Sequence, residues 1–290
     1  MNFKIKHIGY IRIILIIIPY IFIVGIFQMI GYIIAGADIQ SNDAEQTSVQ
    51  TIIISFSTLI GTFIVIWIFT SFVENIKFKT IGFQTTNVIK ESLTGFGFGA
   101  AAICLGFIIL YLTKNIKINR FDYNLNEIIL TISIFIFVAI SEEILVRGYI
   151  LRNLMVSFNK YFALIISSLL FSLLHLFNPN ISTSSFISLF FAGLLYGITY
   201  IFNYRLWFPI SIHFSWNFLQ SILGFNVSGN HHYLFTKLEL LGNDFITGGS
   251  FGFEGSIFSI IIQGIFIIGI LIYYKKLTTT KCKCNAGFSG

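Results

Sequence analysis

Glu142 and Glu143 stand side by side at the end of the apolar run Ile128–Ile140, with Arg147 four residues further on. Ionisable groups at membrane depth are costly, so they mark a functional site by default. Their spacing separates two roles. Glu143 and Arg147 are i,i+4 with the acid first, the favourable order for a helical ion pair. Glu142 has only Val138 and Val146 at that spacing and points about 100° away from Glu143. Glu143 and Arg147 are therefore expected to hold structure, leaving Glu142 for chemistry. The competing reading makes all three the charged rim of a helix.

Two histidines join them. His175 lies in Phe171-Ser172-Leu173-Leu174-His175, and His213 in His213-Phe214-Ser215-Trp216-Asn217. A hairpin folded at Ser157–Lys160 would set Glu142 and His175 at one height. Reading the preceding helix to end at Val146, Glu142 lies ~6 Å and His213 ~10 Å from the cytoplasmic side. Asn217 shares a face with His213 one turn on. A carboxylate beside a histidine in a semi-dry cavity can activate water. His213 and Asn217 can then donate to the oxyanion of a tetrahedral intermediate. Alternatively Glu142, His175 and His213 are ligands of a catalytic zinc, with water in the fourth position. No H-E-x-x-H and no G-x-S-x-G occurs, and Ser141, Ser172 and Ser215 lack an obvious base. His7 in the N-terminal arm and the His231-His232 pair read as incidental.

The chain that must position these groups has 290 residues, 56% hydrophobic and 10% charged, with 34 phenylalanines and three prolines. Soluble domains carry roughly 25% charged residues. The fold class is therefore all-α, a polytopic membrane helix bundle. About eight spans are expected, near 13–36, 51–73, 92–113, 128–146, 161–177, 185–203, 207–224 and 256–274. The whole chain 1–290 reads as one membrane domain, with a motif-bearing core at 127–222 and a cytoplasmic tail at 276–290. Ala35-Gly36-Ala37 resembles a cleavage site, which leaves processing of the first segment open.

Eight spans put both termini on one side. Lys4, Lys6, Arg12, Lys77, Lys79, Lys90, Arg147, Arg152, Lys160, Arg205 and the C-terminal lysines, Lys281 and Lys283 among them, then fall inside. Outside fall Lys237 and a basic loop with Lys114, Lys117 and Arg120, the weak point of the scheme, beside acidic Asp38, Asp43 and Glu45. This predicts a multi-pass protein of the cell membrane with both termini cytoplasmic. The net charge of +6 then meets anionic lipid, and no nucleic-acid partner is needed. Cys282 and Cys284 in a lysine-rich tail suggest neither zinc nor disulfide, and the C-terminal Gly287-Phe288-Ser289-Gly290 is not a prenylation box.

Glu142-Glu143-x-x-x-Arg147 with Gly148-Tyr149, then Phe171-x-x-x-His175, then His213-x-x-x-Asn217, resemble in this order the motifs of the CPBP (Abi) intramembrane protease family. That family includes type II CAAX prenyl endopeptidases and bacteriocin-processing or self-immunity proteins. The resemblance implies an eight-helix bundle with an intramembrane cavity open to the cytoplasm. It implies Glu142 and His175 as water activators, His213 with Asn217 as oxyanion or metal-site residues, and Glu143 with Arg147 in support. Family members are commonly called metalloproteases. One carboxamide and two histidines on separate helices make a poor preformed cage, so the expected cofactor is none, with zinc the alternative. The expected substrate is a peptide or membrane-protein segment. An Ile-, Lys- and Asn-rich composition suits an AT-rich bacterial gene, which favours a bacteriocin leader or surface-protein precursor over a prenylated protein. Two other classes stay open: a non-catalytic immunity protein using the same cavity, and a proton-coupled transporter, although no inverted repeat is visible.

Overall fold

The computed structural model describes residues 8–38 and 46–286, with side chains through Lys276. The expectations for Lys4, Lys6, His7, Asp43, Glu45 and Gly287–Gly290 lie outside these residues. So do those for the side chains of Lys281, Cys282, Lys283 and Cys284.

Each expected span is a helix: α1 (Ile8–Ala35), α2 (Ser48–Ile68, continued by a π turn Phe69–Val73), α3 (Val88–Leu112), α4 (Leu125–Glu143), α5 (Lys160–Leu174), α6 (Thr183–Gly197), α7 (Trp207–Ile222) and α8 (Ile257–Ala286). Six are long and apolar enough to cross a membrane, while α5 and α7 have 15 and 16 residues. The outward faces are apolar: Ile18 is 77%, Ile33 70% and Leu112 72% exposed. Such surface is stable against lipid and not against water. The chain is an all-α, multi-pass membrane bundle.

Two features depart from the expected layout. The fourth span does not end at Val146. It passes without a break from α4 into a π-helical stretch, Ile144–Leu151, and on to Ser157. Val146 and Arg147 are fully buried. Arg147 is not a surface marker, because Glu143 neutralises it within the bundle at 2.8 Å. Glu142 consequently lies 15 residues from the Ser157 end, ~22 Å at 1.5 Å per residue, and not ~6 Å. α7 starts deep as well. Leu206, just before it, is fully buried beside Gly148, and its N–H donates to Gly82 O. This is why Glu142 and His213 still meet.

The second departure is a two-stranded antiparallel sheet. β1 (Ile116–Phe121), between α3 and α4, pairs with β2 (Thr236–Leu240), between α7 and α8. Lys117 bonds Glu239 at 3.2 Å and Lys237 bonds Asp122 at 3.4 Å. The basic loop that strained the charge scheme is thus partly neutralised by its own sheet.

Small residues set the packing around the site. Gly95 and Gly99 on α3 bring that helix against α7: a Cβ at Gly99 would lie 2.0 Å from Ser215 Oγ and 2.7 Å from Ile212 O. Close approach through Gly-x-x-x-Gly is a common membrane-helix device. Gly193 on α6 does the same against Ser168 on α5.

Candidate active site

The α4–α5 hairpin turns at Ser157–Lys160, where the Asn159 side chain caps α5 by accepting from the N–H groups of Tyr161 and Phe162. Its two arms bring Glu142 and His175 together. Glu142 Oε2 is 3.8 Å from His175 Nε2 and 3.9 Å from His213 Nε2. Three helices thus converge on one carboxylate oxygen. That oxygen is buried and has no hydrogen-bond partner, although the Glu142 side chain as a whole is 33% exposed.

Both imidazoles are fixed through their other nitrogen. His175 Nδ1 lies 2.8 Å from Phe171 O. A carbonyl only accepts, so Nδ1 carries the proton. His213 Nδ1 lies 2.9 Å from Glu143 Oε1 and donates to that carboxylate in the same way. In the neutral rings, each Nε2 therefore turns a lone pair toward Glu142. Three acceptors surround one point, which suits a shared water or another proton donor.

Glu143 does more than pair with Arg147. Its Oε1 accepts from Arg147 Nη1 at 2.8 Å and from His213 Nδ1 at 2.9 Å, with the carboxylate fully buried. Arg147 Nη2 donates to Gly193 O at 2.9 Å, and its guanidinium lies 4.7 Å from the centre of the Phe171 ring. Phe171 thus supplies a carbonyl to His175 and a ring face to Arg147. The π-helical stretch begins immediately after Glu143, and such stretches recur at functional sites.

Asn217 is buried one turn beyond His213 on α7. No hydrogen bond joins it to Glu142, His175 or His213 among the described residues. Tyr196 was missed by sequence reasoning: its ring stacks on His213 at 4.9 Å and 23°, and nothing in its local sequence signals this. Glu254, only 3% exposed, was missed too. His231 and His232 stand apart from this group, lining a small polar pocket with Ser48, Thr51 and Tyr233.

The donor types suit zinc: two imidazoles anchored at Nδ1 and a carboxylate. Their spacing does not. Tetrahedral zinc with bonds of 2.0–2.1 Å sets its ligands ~3.3 Å apart, and among the described residues no three such side chains gather as a metal cage.

Comparison with known proteins bears on the same stretch. No curated protein and no solved structure matches the chain. Residues 124–219 match the family model described as type II CAAX prenyl endopeptidase Rce1-like. This segment contains all seven residues of the three motifs, Glu142, Glu143, Arg147, Phe171, His175, His213 and Asn217. Over residues 124–219, about a third of the chain, the sequence is therefore similar to the type II CAAX prenyl endopeptidase family.

Proposed function

We propose that the protein is an intramembrane endopeptidase in which Glu142 and His175 activate a water for attack on a peptide bond. The observation that carries this is the unpartnered Glu142 Oε2, flanked by two imidazole Nε2 atoms at 3.8 and 3.9 Å. A water seated there donates one proton to Glu142 as its oxygen adds to the substrate carbonyl. Collapse of the tetrahedral intermediate breaks the C–N bond, and the protonated Glu142 returns the proton to the leaving amine. His213, whose Nδ1 proton is given to Glu143, can donate to the oxyanion from Nε2 only as an imidazolium. The Asn217 carboxamide is the second candidate donor. Glu143 and Arg147 hold the His213 ring in place. No step runs through a metal.

The substrate we favour is a peptide or membrane-protein segment, such as a bacteriocin leader or a surface-protein precursor. We place the protein in the cell membrane with both termini in the cytoplasm. Support comes from Arg12, Arg152 and Lys160 at the end of the bundle opposite the β1–β2 sheet.

The test uses wild type and Glu142→Gln in liposomes with pooled peptides and a farnesylated C-a-a-X peptide, with and without chelator. Cleavage that is lost in Glu142→Gln and insensitive to chelator supports this mechanism. Loss with chelator and recovery with zinc would make His175 and His213 ligands instead. Cleavage retained by Glu142→Gln would end the proposal.

A further inference from the structure

The connection 225–255 lies between the last two expected spans, yet part of it is core. Phe253 is fully buried at the α3 face, where a Cβ on Gly106 would touch its ring. Glu254 beside it is 3% exposed. Its Oε2 accepts from Ser228 N–H at 2.8 Å and Ser228 Oγ at 2.9 Å. Ser228 holds a left-handed backbone (φ 49°), and its carbonyl accepts from Asn178 Nδ2 at 2.9 Å. Asn178 N–H in turn donates to His175 O at 3.0 Å. An unbroken path of hydrogen bonds thus links a buried carboxylate in the connection to the turn that carries His175.

The path is tightly built. Gly229 follows Ser228 with φ 80°, and a Cβ there would lie 1.9 Å from Pro179 O. Gly229 N–H donates to Phe251 O at 2.9 Å. The turn 228–230 is therefore pressed against Asn178-Pro179, a polar cluster to which the motifs give no role. Burial pushes the Glu254 carboxyl up. The two Ser228 bonds and the field of the nearby His175 and His213 pull it back.

We propose that Glu254 is a positioning residue for His175: through Ser228 and Asn178 it clamps the end of α5 and fixes the imidazole opposite Glu142. The inference rests on the reading of Glu142 and His175 as the water-activating pair. α5 ends at Leu174, so His175 stands at its C-cap: Phe171 O holds the ring from the helix side, and Asn178 N–H holds the His175 carbonyl from the turn that follows. A carboxylate accepting two bonds from one residue fixes that turn where an apolar contact would let it slide.

The experiment compares wild type with Glu254→Ala, Glu254→Gln, Asn178→Ala, Ser228→Ala and the Glu254→Ala/Asn178→Ala double variant, all as full-length protein in detergent. Hydrogen exchange at residues 172–178 reads the clamp without any substrate. Cleavage of the best substrate found for wild type reads its consequence, with Glu142→Gln as the inactive control. We expect at least tenfold faster exchange at 172–178 in Glu254→Ala and Asn178→Ala. We expect kcat to drop 10- to 100-fold in each with KM within twofold, and the double variant to be no worse than the poorer single. Glu254→Gln, whose carbonyl oxygen can accept both Ser228 bonds, should stay within about threefold of wild type. Ser228→Ala keeps the N–H bond, so it should give a smaller loss and serves if Glu254→Ala does not fold. Unchanged exchange at 172–178 in Glu254→Ala, or losses that multiply in the double variant, would overturn the clamp. A rise in KM with kcat kept would make the connection a substrate contact and overturn it equally. If wild type cleaves nothing, the protease reading fails while the exchange result still decides whether the clamp exists.

Discussion

Glu143 Oε1 accepts from His213 Nδ1 at 2.9 Å, while the adjacent Glu142 faces the other nitrogen of the same ring at 3.9 Å. Neighbouring carboxylates on one helix thus address the two sides of one imidazole. One is fully buried and bonded, the other is partly exposed and unbonded. Removing Glu143 would strand the fully buried Arg147, and an uncompensated buried charge costs about 3–5 kcal/mol. Glu143→Ala and Arg147→Ala should each unfold far more readily than wild type in a detergent melt. Glu143→Leu/Arg147→Met should be less destabilised than either single change, since a matched apolar pair leaves no orphan charge. Singles that cost under about 1 kcal/mol would mean that the pair holds little.

Glu142→Gln should behave in the opposite way. Its nearest charged partners are beyond hydrogen-bond distance, so the amide deletes no bond of the fold. Stability should stay within about 0.5 kcal/mol of wild type, the range for changes away from structural features. Turnover should fall by about 10²–10⁴, the usual contribution of a general base. Paired melting and cleavage curves check both halves. A variant that melts early would move Glu142 into the structural class with Glu143.

Most of this site was legible because membrane depth penalises charge, so each polar residue in an apolar run is a signal. The hairpin fold at Ser157–Lys160 was readable for a similar reason, as a polar break between Glu142 and His175. The helix end was misplaced at Val146 because Arg147 looked like a surface residue. Its exposure was set by Glu143, Gly193 O and Phe171, of which only Glu143 is local. The sheet was missed although Ile116 and Ile118 alternate with Lys117 and Asn119, a period-two pattern. The surrounding polar residues marked the segment as loop, and its partner strand lies far along the chain. Glu254 offered no local signal, since its burial depends on Ser228 and on the docking of the whole connection.

Acid should weaken the fold through His232. Burial, with His231 acting in the same direction, pushes its pKa down from 6.5 to about 4, and its ring packs 4.9 Å from the centre of Phe135. The unfolded chain takes up this proton first as pH falls. The stability held by the neutral ring is complete above about pH 7 and is lost between about 6.5 and 4. The melting temperature of wild type should therefore drop more steeply from pH 7.5 to 4.5 than that of His232→Gln. Parallel pH curves for the two proteins would remove His232 as the cause.

Helix α7 carries both His213 and Asn217, and its seat is α3. A side chain at Gly99 meets Ser215 Oγ, which can rotate away, but also Ile212 O at 2.7 Å and Trp216 N at 3.1 Å, which cannot. Gly99→Val must therefore push the α7 backbone outward. Overpacking of this kind costs about 1–3 kcal/mol. A displacement near 1 Å at a reacting group can cost about 10² in rate. We expect Gly99→Val to lose activity out of proportion to stability, because His213 would leave its bond to Glu143 while most of the bundle stays packed. Gly97 on the same helix is the control: a Cβ there meets nothing within 4 Å, so Gly97→Ala should be neutral or stabilise the helix by up to about 1 kcal/mol. Melting temperature and cleavage rate measured on both variants separate the cases. Equal rates would show that α7 tolerates displacement and that the His213–Glu143 bond does not set activity.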